Sequence, residues 1–509
     1  MKPLYPWIPD SPNYPNTDSL DVNNVVVRTA NQAQDGLHVD YSPFPAPAYV
    51  PTPATLSNYC QGLFTAKDVT DNVYTFAGDL GNLYTVTTTA TPINKVTITS
   101  GVTSSYTYAT PTDAQWSFSQ YGPQVIATNG VDNPQYYTIG TSTIFADIPS
   151  APLAKFTCTI KDFLVLACPP ITPNQLQWSS IDQPLSWPTP GTNTAIQNQS
   201  DIQIMPDGSS IMGVVGGVAG IDGLVFTEKM VYRMQYEGYP TVFGFYPVDR
   251  SKGCVASGSI INQGQFVAYL SQDGFYIFNG TNVQPIGAGK IDKWFWSNVN
   301  QEYISRISVT YDPVGKNIIW SFPSTITSST NTTPDKALIY NWQYNEWTKA
   351  DLSTEIVSNA FAQGLTLEQL DSYGTLDSLP FSLDSRVWKS GSPLFITVNP
   401  ANHSIGSLGS ITQDSYVITD AELADGGVIT YYSSIKPITD APTYQACVAT
   451  QHQLSDQIVY GALSTVNSNG ECLIRASGRY VYTKILIPNG TSWTHLSGYE
   501  VSSKPLGKR

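Results

Sequence analysis

Charge is scarce in this chain. Asp, Glu, Lys and Arg make up 13% of its 509 residues, about half the roughly 25% of an ordinary soluble domain. The 17 Lys and 8 Arg are scattered and outnumbered by 39 acidic residues, for a formal net charge of −14. Tight nucleic-acid binding draws on clustered cations to neutralise phosphates, and no such cluster occurs. An acidic surface repels DNA, which suits a conduit through which DNA slides, but acidity is also a common solubility device. Six cysteines, at 60, 158, 168, 254, 447 and 472, lie far apart without CxxC or Cys/His spacing. That excludes a zinc motif and a disulfide scaffold and predicts buried free thiols. No window approaches 18 consecutive apolar residues, so no membrane helix is expected. The first residues, MKPLYPWIPDSPNYPNTDSL, lack the apolar core of a secretory leader. The Asn-x-Ser/Thr triplets at Asn279, Asn331, Asn402 and Asn489 therefore read as chance.

Aromatics, by contrast, reach 12%, with 31 Tyr, 18 Phe and 11 Trp, and the 38 Gly and 36 Pro are spread along the chain. Aromatic and β-branched side chains fit a pleated surface, and dispersed Gly and Pro mark many short turns. The composition predicts an all-β protein.

A long-period repeat organises the middle of the chain. Each unit has a strand, a tight turn, a more apolar strand, a second turn and an aromatic-rich strand. The units begin at CQGLFTA (60–66), AQWSFSQ (114–120), KFTCTIK (155–161), SIMGVVGG (210–217), GSIINQG (258–264) and ISVTYDP (307–313). Equivalent second-strand positions, Val73, Val125, Leu164, Leu224, Val267 and Ile318, recur at a mean spacing of 49 residues. A weaker fourth segment follows most units, as in KVTITS, STIFADI, FGFYPV, NVQPIG and NEWTKA. Four strands in about 40–50 residues is the content of one β-propeller blade. Asp-Gly and Asn-Gly pairs at 129–130, 207–208, 222–223, 273–274 and 279–280 supply hairpin turns. Stacked sandwiches also place turns every 8–12 residues, but the four-strand unit recurring six times favours a propeller of about six blades over 56–353.

The flanks differ. Residues 1–55 are Pro-rich and predict an extended arm lying on a neighbouring surface. Residues 354–393 form a connector with a short helix-like window, TLEQLDSYGTLDSL. Residues 394–509 alternate again and predict a C-terminal antiparallel β-sandwich-like domain.

No catalytic, cofactor-binding or metal-ligating residues emerge. Gly216, Gly217, Gly220 and Gly223 do not meet GxGxxG order and no helix follows, so they read as turn glycines. Gly289-Lys290 fails as a phosphate loop because Ile291 stands where Ser or Thr is needed and residue 284 is Gln. His38, His403, His452 and His495 lie in separate segments, and no GxSxG elbow occurs. The enzymatic rival is a propeller glycosidase. SQDGFYIF (271–278) loosely resembles the turn of sialidases, although Asp273 more simply supplies a turn carboxylate before Gly274. A sialidase also needs an arginine cluster for its substrate's carboxylate, and the Arg residues are scattered.

The segments DSLDVNNVVVRTANQ, VYTFAGDLGNLYTV, YGPQVIATNGVDNPQYY, KDFLVLAC…PNQLQWSSIDQPLSW, GLVFTEKMVYRMQYEG, YLSQDGFYIFNG, PIGAGKIDKWFW, LIYNWQYNEWTKA and GRYVYTKILIPNGTSWTHLSGYEV resemble the tail nozzle, or tail hub, proteins of podoviruses, the short-tailed bacteriophages. The resemblance covers nearly the whole chain without a short diagnostic chemical motif. It implies a β-propeller joined to further β domains, with six copies forming a tube below the portal and adaptor rings. It further implies a homohexamer in the virion tail, assembled in the host cytoplasm. The adaptor, tail fibres or tailspikes would be its partners, and genomic DNA would pass through transiently. No catalytic residues and no cofactors are implied. The alternative from another class is a receptor-binding or glycan-degrading tail protein.

Overall fold

The structure, a computed structural model, describes residues 2–11, 18–49, 53–87, 89–99, 102–361, 393–423 and 427–507. It is all-β, with many small antiparallel sheets. Among the described residues the α-helices are Asn193–Gln197 and Asp292–Asn298.

Seven of the sheets are four-stranded, and six follow one another along the chain. Sheet I comprises Gly62–Lys67, Val73–Gly78, Leu83–Val86 and Ala90–Pro92. Sheet II comprises Ser117–Tyr121, Gln124–Thr128, Gln135–Thr138 and Ala146–Asp147. Sheet III comprises Phe156–Ile160, Phe163–Ala167, Gln175–Trp178 and Ile202–Ile204. Sheet IV comprises Ile211–Val218, Ile221–Thr227, Val231–Gly238 and Val242–Asp249. Sheet V comprises Ile261–Asn262, Val267–Ser271, Gly274–Phe278 and Val283–Pro285. Sheet VI comprises Ser308–Asp312, Asn317–Phe322, Lys336–Asn341 and Glu346–Asp351.

Sheet VII has no counterpart in the repeat. It is ordered Val357–Phe361, Pro393–Val398, Ile405–Thr412 and, outermost, Pro45–Ala48. Its strands come from stretches that the sequence assigned to the connector, the C-terminal domain and the arm. No spacing rule reveals such a sheet, because pairing Ala48 with Ser407 joins residues far apart in the chain. Pro45 and Pro47 suit the outermost place, where one side of the strand makes no ladder.

The packing explains why the second strands are the most apolar. Successive side chains of a strand point to opposite faces, so adjacent residues enter different cores. Val125 joins the core between sheets I and II while Ile126 joins that between II and III. Leu164 and Val165 divide likewise between the II–III and III–IV cores. A IV–V core around Phe226 and Tyr269 follows. Ile318 lies in the V–VI core and Ile319 in the VI–VII core. The last core sets Val398 of sheet VII against Leu63 and Ala77 of sheet I, returning the succession to its start. Second strands Phe163–Ala167, Val267–Ser271 and Asn317–Phe322 are buried at every residue.

Two six-stranded sheets complete the chain. Sheet VIII is ordered Val25–Ala33, Gly36–Pro43, Leu496–Gly507, Ile429–Thr439 and Cys472–Gly478, with Lys2–Pro3 also on Leu496–Gly507. Sheet IX is ordered Ser19–Asn23, Ser415–Thr419, Tyr480–Ile487, Gln445–Gln451 and Ser464–Thr465, with Glu422–Leu423 on Tyr480–Ile487. They enclose Val22, Val39, Val417, Ile435, Ile485 and Tyr499, in one core continuous with that between sheets V and VI. Asp10 strengthens the joint: its carboxylate accepts the N–H groups of Lys293 (2.7 Å) and Trp294 (2.8 Å) in the first turn of the 292–298 helix, where unpaired donors favour an anion.

Three boundaries thus differ from the sequence reading. The described part of 1–55 is paired within its own chain and is no free arm, because its apolar strands find partners in sheets VII, VIII and IX. KVTITS is no fourth strand: Val96–Thr99 pairs with Val102–Ser105 in a separate hairpin, and Ala90–Pro92 takes its place. Residues 393–412 belong with sheet VII. The helix-like window lies outside the described residues.

Candidate functional site at the starts of the first strands

The first strands of the seven sheets lie side by side, and residues just before them converge from sheets I, II, VI and VII. Gln115, before sheet II, donates its amide to Ser305 O (3.2 Å) and Ile307 O (3.0 Å), ahead of sheet VI. It thereby ties sheet II to sheet VI, with sheets VII and I standing between them in the succession. Gly258 comes so close that an added Cβ would stand 2.0 Å from Ile307 O and 2.7 Å from the Gln115 amide oxygen. Gln61, before sheet I, donates to Pro111 O (2.5 Å) and Ala114 O (2.9 Å).

Arg306 donates to Thr332 O (2.9 Å) and pairs with Asp113 (3.3 Å). Its guanidinium stands 5.1 Å from the Tyr59 ring centroid and 5.0 Å from that of Tyr303, within cation–π range. Glu355 is buried, accepting Cys60 N–H (2.7 Å) and contacting His403 Nδ1 (2.5 Å). Burial, the largest influence, raises the Glu355 carboxyl pKa against the lowering effect of Cys60 N–H and His403. Burial likewise raises the Tyr59 hydroxyl and the Cys60 thiol. The enclosed space is about 10 Å³, room for one water. Such a site can brace the sheets but cannot admit a sugar or a nucleotide.

Of the residues weighed in the sequence, Cys60 and His403 lie at this point, against Glu355, and the others lie apart from it. Asp273 accepts from Lys252 (2.5 Å) and Tyr276 (2.8 Å) in the second turn of sheet V. Burial acts to raise its pKa, but these two donors together outweigh it and lower the carboxyl. Asp292 lies close by, its carboxylate against Gly274 and Gly287 and accepting Phe275 N–H (3.1 Å). Burial, with Asp10 and Asp273 adding repulsion, raises it to about 7. Gly217 and Gly220 take left-handed φ of 65° and 80° in the first hairpin of sheet IV. Lys290 reaches Asn345 O and Glu346 (2.9 Å). His38 contacts Asp35 (2.8 Å) and His495 contacts Asp440 (3.4 Å). Among the described residues no three His, Cys, Asp or Glu are grouped to hold a metal ion. The braces at Gln61, Gln115, Arg306 and Glu355 went unremarked in the sequence. One signal existed: CQGLF and AQWSF place Gln at the same point of the first two units.

No protein-family model and no curated protein matches the chain. Among solved structures it is similar to PorZ, an essential bacterial surface component of the type-IX secretion system of Porphyromonas gingivalis. The TM-score is 0.33 and the identity 8%, over 84% of this chain and 46% of that chain. The chain thus spans less than half the length of PorZ, and likeness at this score carries nothing about function.

Proposed function

We propose that sheets I–VII form a closed seven-bladed β-propeller and that the chain is a structural subunit of a podovirus tail nozzle. The propeller reading is supported by the seven shared cores that return to sheet I, and by the outermost strand Pro45–Ala48, which ties the N-terminal region into the last blade. The observation that carries the mechanical role is the single core running from blades V and VI into sheets VIII and IX. It joins the propeller to the two six-stranded sheets through one continuous buried core. The resemblance of nearly the whole sequence to tail nozzle proteins supplies the setting.

The tie that Gln115 makes between sheets II and VI supports a DNA channel between copies over one through a subunit. Six copies would surround that channel below the adaptor, carry fibres or spikes outside, and release the genome at infection. A net charge of −14 per chain keeps phosphates from adhering where carboxylates face the lumen. Cryo-electron microscopy of intact particles tests this directly: a six-fold ring of this chain under the adaptor is expected, and density elsewhere refutes it.

One observation favours the glycan-degrading alternative. Asp273 and the Asp292 carboxylate, which packs on Gly274, bring together at one turn of sheet V the two carboxyl groups that glycoside hydrolysis uses. Reducing ends released from host polysaccharide by the purified chain, and lost in Asp273→Asn, would establish it.

A further inference from the structure

Two aliphatic patches with little charge lie at opposite poles of the molecule. In sheet IX, Ser19–Asn23 forms the edge nearest sheet VI, and Ser464–Thr465 forms the other edge. In sheet VIII, Val25–Ala33 packs on sheet VI, and Cys472–Gly478 is again the far edge. At this far pole residues 452–463, HQLSDQIVYGAL, are exposed almost throughout. They hold Leu454, Ile458, Val459 (65% exposed) and Leu463 in solvent, with Leu473 (61%) on the adjoining strand. The loop is built and not slack. The Asp456 carboxylate accepts the N–H groups of His452 (3.1 Å) and Gln453 (2.9 Å), and Tyr460 and Gly461 pair with Ala449 and Val448. Of its two titratable residues, His452 and Asp456, the carboxylate is occupied in that turn.

The second pole is sheet III, which lies across the cycle from sheet VI. Ile171 (91% exposed), Ile196 and Ile204 stand out there, in the stretches CPPITPNQ, NTAIQNQ and IQIMP, which contain no charge. The outermost strand, Ile202–Ile204, is three residues long.

We infer that the two poles bind each other between copies of this chain, head to tail. The inference rests on the ring assembly proposed above and names its contact. Chains of charge −14 repel one another, so copies approach most favourably where both surfaces are apolar and carry little charge. Two distinct patches at opposite ends make a heterologous contact, which generates rings when the rotation closes. Aliphatic side chains held out by fixed backbone lose little further freedom on docking.

The test uses the purified full chain and two double variants. Val459→Asp with Leu463→Asp blocks one pole, and Ile171→Asp with Ile204→Asp blocks the other. All four sites are exposed, so each variant should keep the parent's circular dichroism and melting temperature. Serine replacements at the same sites supply a milder series if either is unstable. Mass photometry at micromolar concentration should show assemblies for the parent and a monomer for each variant, with association weakened on the order of a hundredfold. Mixing the two variants leaves one open pole on each, so they should form a species of twice the 55.4 kDa chain mass and nothing larger. Variants that keep the parent's assembled mass overturn the pole contact and leave the ring reading standing. One variant self-associating while the other does not shows a like-to-like contact and also overturns it. A parent monomeric at all concentrations refutes self-association through these poles, whereas the ring reading falls only on the particle density.

Discussion

Replacing Asp292 by Asn should stabilise the protein at alkaline pH and leave it unchanged in acid. Asp292 opens the helix Asp292–Asn298 and is 8% exposed. Its carboxylate rests on the backbone at Gly274 and Gly287, with Asp10 and Asp273 as electrostatic neighbours. Burial, reinforced by those carboxylates, lifts its pKa from 3.8 to about 7. At 1.36 kcal/mol per pKa unit that displacement is a little over 4 kcal/mol, and screening at a group not wholly removed from water cuts it to about 2 kcal/mol. The folded state binds the proton more tightly than the unfolded chain. Stability therefore declines as pH rises from about 4 to about 7 and is level beyond. Asn keeps an oxygen for Phe275 N–H and carries no charge, so Asp292→Asn removes this decline. Urea denaturation at about pH 3 and about pH 8 should show nearly equal stability at the lower pH and a gain of about 2 kcal/mol for the variant at the higher. An equal change at both pH values, or none at the higher, would refute the assignment of a costly buried charge.

Glu355→Ala should destabilise by about 2–3 kcal/mol, since it leaves buried Cys60 N–H unpaired, whereas Glu355→Gln retains an acceptor and should cost at least about 1 kcal/mol less; urea melts of both distinguish the effects. Gly258→Ala drives a methyl into Ile307 O and should lower the melting temperature sharply or abolish soluble expression, while unchanged melting would mean that the strand starts are not braced as described. Gln115→Ala removes two hydrogen bonds between the starts of sheets II and VI, for a loss of about 1–3 kcal/mol, with faster hydrogen exchange at residues 305–307 as its local signature. Trp347→Ala deletes a fully buried ring that donates to Ile286 O (2.9 Å) and should cost roughly 3–5 kcal/mol.

Much of the β architecture was legible because its signal is local. A strand flanked by packed sheets is apolar on both faces, as in FLVLA and NIIWSF, and pairs such as Asn129-Gly130 and Asp273-Gly274 mark turns beside strands of this kind, whereas Asp222-Gly223 lies inside the strand Ile221–Thr227. Sheets II to VI could be traced in this way almost strand by strand. The braces at the strand starts were not legible, since Gln115 is an ordinary polar residue until folding brings Ser305 and Ile307 beside it.

The sequence by itself determined the strands, their pairing inside most four-stranded units, and the absence of the known catalytic and metal-binding motifs. Tertiary structure alone decided that there is a seventh sheet, that Pro45–Ala48 completes it, and that the N-terminal strands share one core with the C-terminal sheets. The physical reason is separation along the chain. Hairpin pairing follows from alternation and turn residues within a few positions. Pairing Pro45 with Thr412, or Val22 with Val417, depends on which buried faces remain unmatched once the local sheets have formed.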